Sequence, residues 1–197
     1  MKRLSILFTA IFAFTAFFFS ISENVKAEIS IGGTVGNFSL PDTNGKNQTL
    51  NDLKGEKGTV VVFLSAQCPV VRGYNERISQ IADDYQSKGI NFIGINSNAT
   101  ESLELIRSHA KENYKFPVLI DKDAILADKL GAGATPEIYY FDAKNVLLYR
   151  GAIDNDRKGD NITENYLRSA FDASLSGKKI EKSSTRAFGC TIKRKAD

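Results

Sequence analysis

The sequence predicts an α/β fold: a mixed central sheet with helices on both faces, preceded by an N-terminal β-hairpin. Three observations carry this. Thr59-Val60-Val61-Val62-Phe63-Leu64 is a β-branched and apolar run with no polar interruption after its first residue, which suits a strand buried on both faces. Behind it Val71, Tyr74, Ile78, Ile81 and Tyr85 recur at spacings of three and four, the stripe of an amphipathic helix. Further on, Ile138-Tyr139-Tyr140-Phe141 and Val146-Leu147-Leu148-Tyr149 flank Ala143-Lys144-Asn145, a connection short enough only for an antiparallel pair.

The remaining elements follow in order. Phe38-Ser39-Leu40 and Gln48-Thr49-Leu50 enclose Asn44-Gly45, a dipeptide that favours the tight turn of a hairpin. Pro69 suits the first turn of the long helix, and Gly89 ends it. Ile90-Asn91-Phe92-Ile93-Gly94-Ile95 is a second core strand. Thr100 starts a second helical segment with Leu103, Ile106 and Ala110 on one side, and Phe116 to Ile120 is a strand entered through Pro117. A short helix over 124–130 closes at Gly131, and a last one spans 163–175 and stops near Gly177. Long helices after the first two core strands imply right-handed crossovers in a parallel core, to which the late hairpin adds antiparallel strands.

The composition, 42% apolar and 25% charged, excludes collagen-like, disordered and polytopic membrane classes. Charge is divided unevenly: residues 1–27 carry a net +2, 28–177 a net −4 and 178–197 a net +5. The body is therefore mildly acidic, which argues against nucleic acid as a partner. Lys2 and Arg3 precede an apolar stretch from Leu4 to Ile21, and Val25-Lys26-Ala27 offers small residues at a cleavage point. This reads as a signal peptide over 1–27 and predicts an exported protein, periplasmic or secreted. Membrane contact would come only through that segment if it is not cleaved. The body is then 28–177, followed by a basic tail, 178–197, read as a solvated terminal arm free to swing.

The chain has two cysteines and one histidine. Cys68 stands where the buried strand gives way to the helix, followed by Pro69. Free N–H groups and the positive end of the helix dipole favour a thiolate there, at the edge where open α/β sheets bind ligands. The alternative is an inert core cysteine, which would sit more naturally inside the apolar run. His109, in a polar helical stretch, reads as solvated, and no metal site or cofactor is supported.

These residues carry a resemblance. The strand, Ser65-Ala66-Gln67-Cys68-Pro69, the amphipathic helix and Ala134-Thr135-Pro136-Glu137 before a strand resemble the thioredoxin fold. The leading segment Phe38-Ser39-Leu40…Asn44-Gly45-Lys46…Leu53-Lys54-Gly55 is similar to the AhpC/TSA (redoxin) branch. Cys68-Pro69-Val70-Val71, Tyr149-Arg150-Gly151-Ala152-Ile153-Asp154 and Gly189-Cys190-Thr191-Ile192-Lys193 look like exported peroxiredoxin-like members. The resemblance runs from about Thr34 to Arg194. It implies a cis bond before Pro136 in a loop facing Cys68, and a thiol-dependent oxidoreductase, peroxide-reducing and hence antioxidant. Two departures matter. Val71 stands where a vicinal second cysteine would be, and Val61 and Ser65 replace the proline and threonine of the usual peroxiredoxin pattern.

Around Cys68 the expected pocket comprises Ser65, Pro69, Arg72, Thr135, Pro136 and Arg150. Arg72, four residues past Cys68, either stabilises a thiolate or peroxide oxygen or faces solvent. Arg150 either reaches the pocket or is a strand-edge charge, and Asp154 and Asp156 read as turn residues. Cys190 has three readings: a resolving cysteine for Cys68, half of a permanent disulfide, or a partner-facing thiol. The substrate is accordingly a peroxide or a protein disulfide, with an external thiol as electron donor. A thiol–disulfide oxidoreductase and a redox-inactive binding module are the alternative functions.

Overall fold

The computed structural model describes residues 28–195; the expected signal peptide lies outside the described residues. The chain opens with the hairpin β1 (Ser39–Pro41) and β2 (Asn47–Thr49), then one helical turn, α1 (Leu50–Leu53). The Asp42 carboxylate accepts the N–H groups of Asn44 and Lys46 and so fixes the hairpin turn. The core follows as β3 (Gly58–Phe63), α2 (Pro69–Gln86), β4 (Ile90–Asn96), α3 (Leu103–Asn113), β5 (Val118–Ile120) and α4 (Ile125–Leu130). It ends with β6 (Ala134–Thr135), β7 (Glu137–Asp142), β8 (Leu147–Gly151), α5 (Tyr166–Leu175) and β9 (Cys190–Thr191).

The main sheet has the order β5-β4-β3-β7-β8. β3, β4 and β5 run parallel, while β7 is antiparallel to both β3 and β8. This is the expected thioredoxin-like arrangement, and its mixed character comes from the late hairpin. Strand alternation divides the core in two. Val60 and Val62 pack with the buried stripe of α2 and with Ile106 of α3 and Phe171 of α5. Val61 and Phe63 pack on the other face with Leu50 of α1 and Leu126, Ala127 and Leu130 of α4. All five residues of the predicted α2 stripe are buried. Among the described residues no helix is long and apolar enough to cross a membrane.

Two helix starts and the tail differ from the sequence reading. α3 starts at Leu103, not Thr100, because Ser102 caps it by accepting the Leu105 N–H; Leu103, expected on the apolar side, is 42% exposed. α5 starts at Tyr166, not Thr163, because the N–H groups of Thr163 and Glu164 are taken by the Asn155 side chain. The largest correction is the tail, which is not a solvated arm. Its backbone pairs with Arg150 of β8 through Ser183 and Thr185, and with β6 through Cys190 and Thr191. Ile192 is only 3% exposed. At Gly151 (φ +132°) a Cβ would fall 2.2 Å from the Thr185 carbonyl oxygen, so this strand end requires glycine for the tail to pass. A two-residue strand has no periodicity to reveal it in sequence.

Candidate active site around Cys68

β3 delivers the chain to the carboxyl edge of the sheet, and residues 64–67 turn it into α2, with Cys68 as the helix N-cap and Pro69 in the first turn. The N–H groups of that turn have no preceding helical carbonyl to meet, so they present partial positive charge to the sulfur. The turn is held from below by Glu101, a carboxylate in a residue only 2% exposed. It accepts the Ala66 N–H at 2.9 Å, the Gln67 N–H at 3.2 Å, the Asn96 amide at 2.8 Å and the Ser65 hydroxyl. The Ser65 oxygen in turn accepts the Cys68 N–H at 3.1 Å. Four donors thus offset the cost of burying one charge.

Sequence reasoning missed Glu101. Its signal was the polar run Asn96-Ser97-Asn98-Ala99-Thr100-Glu101-Ser102 directly after a buried strand. Since β3 and β4 are parallel neighbours, that run and the Cys68 turn emerge at the same edge of the sheet.

Cys68, 2% exposed, forms a disulfide with Cys190, with Cα atoms 6.0 Å apart and 122 positions between them. The Thr135–Pro136 bond is cis, as the resemblance implied. The Thr135 carbonyl oxygen lies 3.3 Å from Cys68 Sγ, and the Thr135 hydroxyl donates to the Cys190 carbonyl at 3.4 Å. Glu137 steadies this loop by accepting the Gly133 and Ala134 N–H groups at 2.9 and 3.1 Å.

The structure therefore brings Cys68, Cys190, Ser65, Pro69, Thr135 and Pro136 together. The two arginines are directed elsewhere. Arg72 is exposed and donates to the Ala66 carbonyl at 3.2 Å, bracing the turn from outside. Arg150 pairs with Glu28 and, at 3.5 Å, with Glu137, its guanidinium 5.5 Å from the centre of the Tyr139 ring. Glu137, which holds Gly133 and Ala134, links it to the Thr135 loop.

Asp154 is a turn residue, as read, accepting the Asp156 N–H at 3.0 Å, but it is buried and does more than turn the chain. It accepts the Tyr74 hydroxyl at 3.0 Å and pairs with Arg77, locking the loop after β8 to α2. Burial and the Asp154 carboxylate push the Tyr74 phenol well above its usual range. Asp156, read with it as a turn residue, caps its own loop by accepting the Lys158 and Asn161 N–H groups. His109 is half-buried, not solvated: it meets the Asn75 amide at 3.0 Å and the Tyr114 ring edge-on at 5.6 Å. Burial lowers its pKa, and Arg72 adds to that while Glu101 and Glu112 oppose it.

Known proteins fit this picture. The chain is 27% identical over 124 residues to a Mycobacterium tuberculosis protein named provisionally as a peroxiredoxin, covering 61% of this chain and 76% of that one. It is 29% identical over 118 residues to the thiol-disulfide oxidoreductase ResA of Bacillus cereus, covering 59% of this chain and 66% of ResA, just under two thirds of its length. The hypothetical protein SMc02350 of Sinorhizobium meliloti is similar in structure at 34% identity, with a TM-score of 0.79 over 87% of this chain and 98% of that one. The AhpC/TSA family profile matches residues 31–150, from ahead of the first hairpin into β8. That span takes in the Cys68 turn, Glu101 and the Thr135 loop, and the chain belongs to the AhpC/TSA family.

Proposed function

We propose that this chain is an exported thiol–disulfide oxidoreductase that cycles between a Cys68–Cys190 disulfide and the corresponding dithiol. The observation that carries the reading is the disulfide itself, closed beside the Thr135 carbonyl at the N-terminus of α2. In the reduced protein the helix terminus favours the Cys68 thiolate. It attacks one sulfur of a substrate disulfide, and the other sulfur leaves as a thiolate. Cys190 then attacks Cys68 Sγ in the mixed disulfide, expels the substrate thiol and restores the internal bridge, which an external thiol reopens. The name of ResA, a relative matched over 66% of its length, supports this reading. Export rests on the basic start and apolar stretch of residues 2–21.

Peroxide reduction is the second reading. It is favoured by the pairing of Cys68 with a cysteine remote in sequence, as a resolving cysteine would be. Against it, the hydroxyl and guanidinium groups expected to hold a peroxide are engaged elsewhere: Ser65 with Glu101, Arg72 with Ala66, and Arg150 with Glu28 and Glu137. The purified reduced protein should be assayed side by side for reduction of a protein disulfide and for consumption of hydrogen peroxide. Disulfide reduction that is lost in Cys68→Ser, with slow peroxide consumption, is expected. Fast peroxide consumption with no disulfide reduction would overturn the proposal in favour of the second reading.

A further inference from the structure

The outer edge of β8 carries a second surface, remote from Cys68. Two segments strap this edge. Residues 32–33 hold its first half, where the Gly32 N–H donates to the Leu147 carbonyl at 2.9 Å and the Leu147 N–H to the Gly33 carbonyl at 2.8 Å. The tail holds its second half, where the Arg150 N–H donates to the Ser183 carbonyl and the Thr185 N–H to the Arg150 carbonyl, both at 3.0 Å. Between the straps lies a groove of about 470 Å³, lined by Ile31, Leu148 and Ile180 together with Lys178 and Lys179. Ile31 is 41% exposed, and Leu148 and Ile180 are half-buried. The end of α5 sets the lysines in place. Gly177 takes φ +68° and the Lys178 N–H closes onto the Ala173 carbonyl at 2.8 Å, a helix stop that turns the chain sharply. Lys178 and Lys179 leave this stop exposed, and Ile180 folds back onto the apolar cluster that holds Phe171.

Two independent observations point to what covers this groove. The first is charge. The body, 28–177, is net −4, but 178–182 holds three lysines and one glutamate. Lys182 is paired with Glu164, whereas Lys178 and Lys179 form no ion pair among the described residues. The second is the leading segment, residues 1–27. It joins the fold at Glu28, three residues before Ile31 and so within about 10 Å of it. It also holds the apolar stretch Leu4–Ile21, long enough for a bilayer. An apolar patch with a cationic rim suits an interfacial contact with anionic lipid. We propose that this groove docks the protein on an anionic phospholipid bilayer, with Ile31, Leu148 and Ile180 at the acyl boundary and Lys178 and Lys179 among the headgroups.

The sheet gives this contact an orientation. Leu147 pairs with Phe141, which pairs with Thr59 at the start of β3, whereas Cys68 lies beyond the end of the same strand. The groove is therefore toward the edge of the sheet opposite the one at which Cys68 emerges. With the groove on lipid, the Cys68 turn and the Thr135 loop are directed to water, and the acidic remainder of the body is repelled from the same surface. The sequence reading confined membrane contact to the leading segment, whereas this surface belongs to the folded body itself. No atom of the Cys68 site takes part, so neither thiol–disulfide exchange nor peroxide reduction is presupposed.

The chain has no tryptophan, so one introduced indole reports its own surroundings. The full chain carrying Ile180→Trp is reconstituted with vesicles of equal parts phosphatidylcholine and phosphatidylglycerol whose acyl chains are brominated. Quenching of its indole is compared with that of Ile125→Trp. Ile125 is 71% exposed on α4, which packs on the other face of the sheet. Quenching should be several-fold greater at 180 than at 125, and the difference should vanish on phosphatidylcholine alone. Neutralising two lysines at an anionic surface should shift the balance between docked and free about thirtyfold toward free. Lys178→Gln with Lys179→Gln should therefore remove the difference as well, with little change in the urea midpoint measured without vesicles. Ile31→Trp serves as a second probe should Ile180→Trp fail to fold. Equal quenching at the two positions on the anionic vesicles would overturn the proposal and leave the groove to the leading segment or to a second copy of the chain. A difference that persists on phosphatidylcholine alone, or that survives the loss of both lysines, would overturn it too, because the contact would then owe nothing to charge.

Discussion

Cys68 is held from within the fold, whereas Cys190 is held at its margin. The Cys68 turn hangs between two central parallel strands and rests on a buried carboxylate that binds it through Ser65, Ala66 and Gln67. The Cys190 segment is a two-residue strand anchored by one isoleucine, with glycines at 151 and 189 giving the tail room to pass. The first region is held by hydrogen bonds that do not pass through the disulfide. The second is tied to the fold by main-chain hydrogen bonds at 190–193 and by Ile192, and the covalent bond acts together with them to keep it in place. One half of the pair is therefore fixed in the fold, and the other half is the one that the proposed cycle requires to leave and return.

The sharpest way to break this comparison is at Glu101. Glu101→Ala leaves the Ser65 hydroxyl, two backbone N–H groups and the Asn96 amide without their acceptor in the interior. Each buried donor left unsatisfied costs about 1–3 kcal/mol, and the total loss should be nearly the same in the oxidised and reduced proteins. Urea denaturation of both forms measures it. A loss confined to the oxidised protein would mean that Glu101 supports the tail and not the turn.

Ile192 probes the other side. Ile192→Ala removes the apolar anchor of the tail and should cost about 2–3 kcal/mol with the disulfide closed. With the disulfide reduced the cost should be clearly smaller, because a tail that is already partly released has less burial to lose. Equal costs in the two redox forms would show that the strand stays seated without its covalent tie, and the contrast between the two regions would collapse.

Most of the left-hand part of this comparison was legible in the sequence. An unbroken β-branched strand, a helix stripe at spacings of three and four, and Cys68-Pro69 between them locate the sulfur at the helix start because burial and periodicity are local signals. What the sequence hid is long-range and polar. Glu101 acts across 36 positions on Ser65, and no pattern within either segment announces the contact; only the pairing of β3 with β4 brings them together. Arg72 and Arg150 illustrate the converse. Their positions near the cysteine in sequence or topology suggested a pocket role, yet competing carbonyl and carboxylate partners turn them away. The tail was misread because two paired residues and a single buried isoleucine carry no periodicity, and a basic composition normally marks a solvated arm.

The smallest expected effect lies at the back of the Cys68 side, where α3 packs on α2. His109 is half-buried there against Asn75 and Tyr114, and burial holds its pKa below the ordinary value near 6.5. The folded state therefore resists protonating this ring, while the unfolded chain accepts the proton at about pH 6.5. Between that pH and the lower folded pKa the unfolded state binds more protons, so stability is complete above the window and falls as pH drops through it. Lowering the pH from about 7.5 to about 5.5 should thus reduce the urea midpoint of the native protein. His109→Gln keeps a group that can accept the Asn75 amide but cannot titrate. Its midpoint should fall less over the same range, while the rate of exchange at Cys68 stays unchanged at neutral pH. Parallel pH profiles for the two proteins would show that carboxylates, not this histidine, set the acid limb. A change in exchange rate would show that the rear of α2 is coupled to the sulfur at its front, and the fixed centre would then be less rigid than its hydrogen bonds imply.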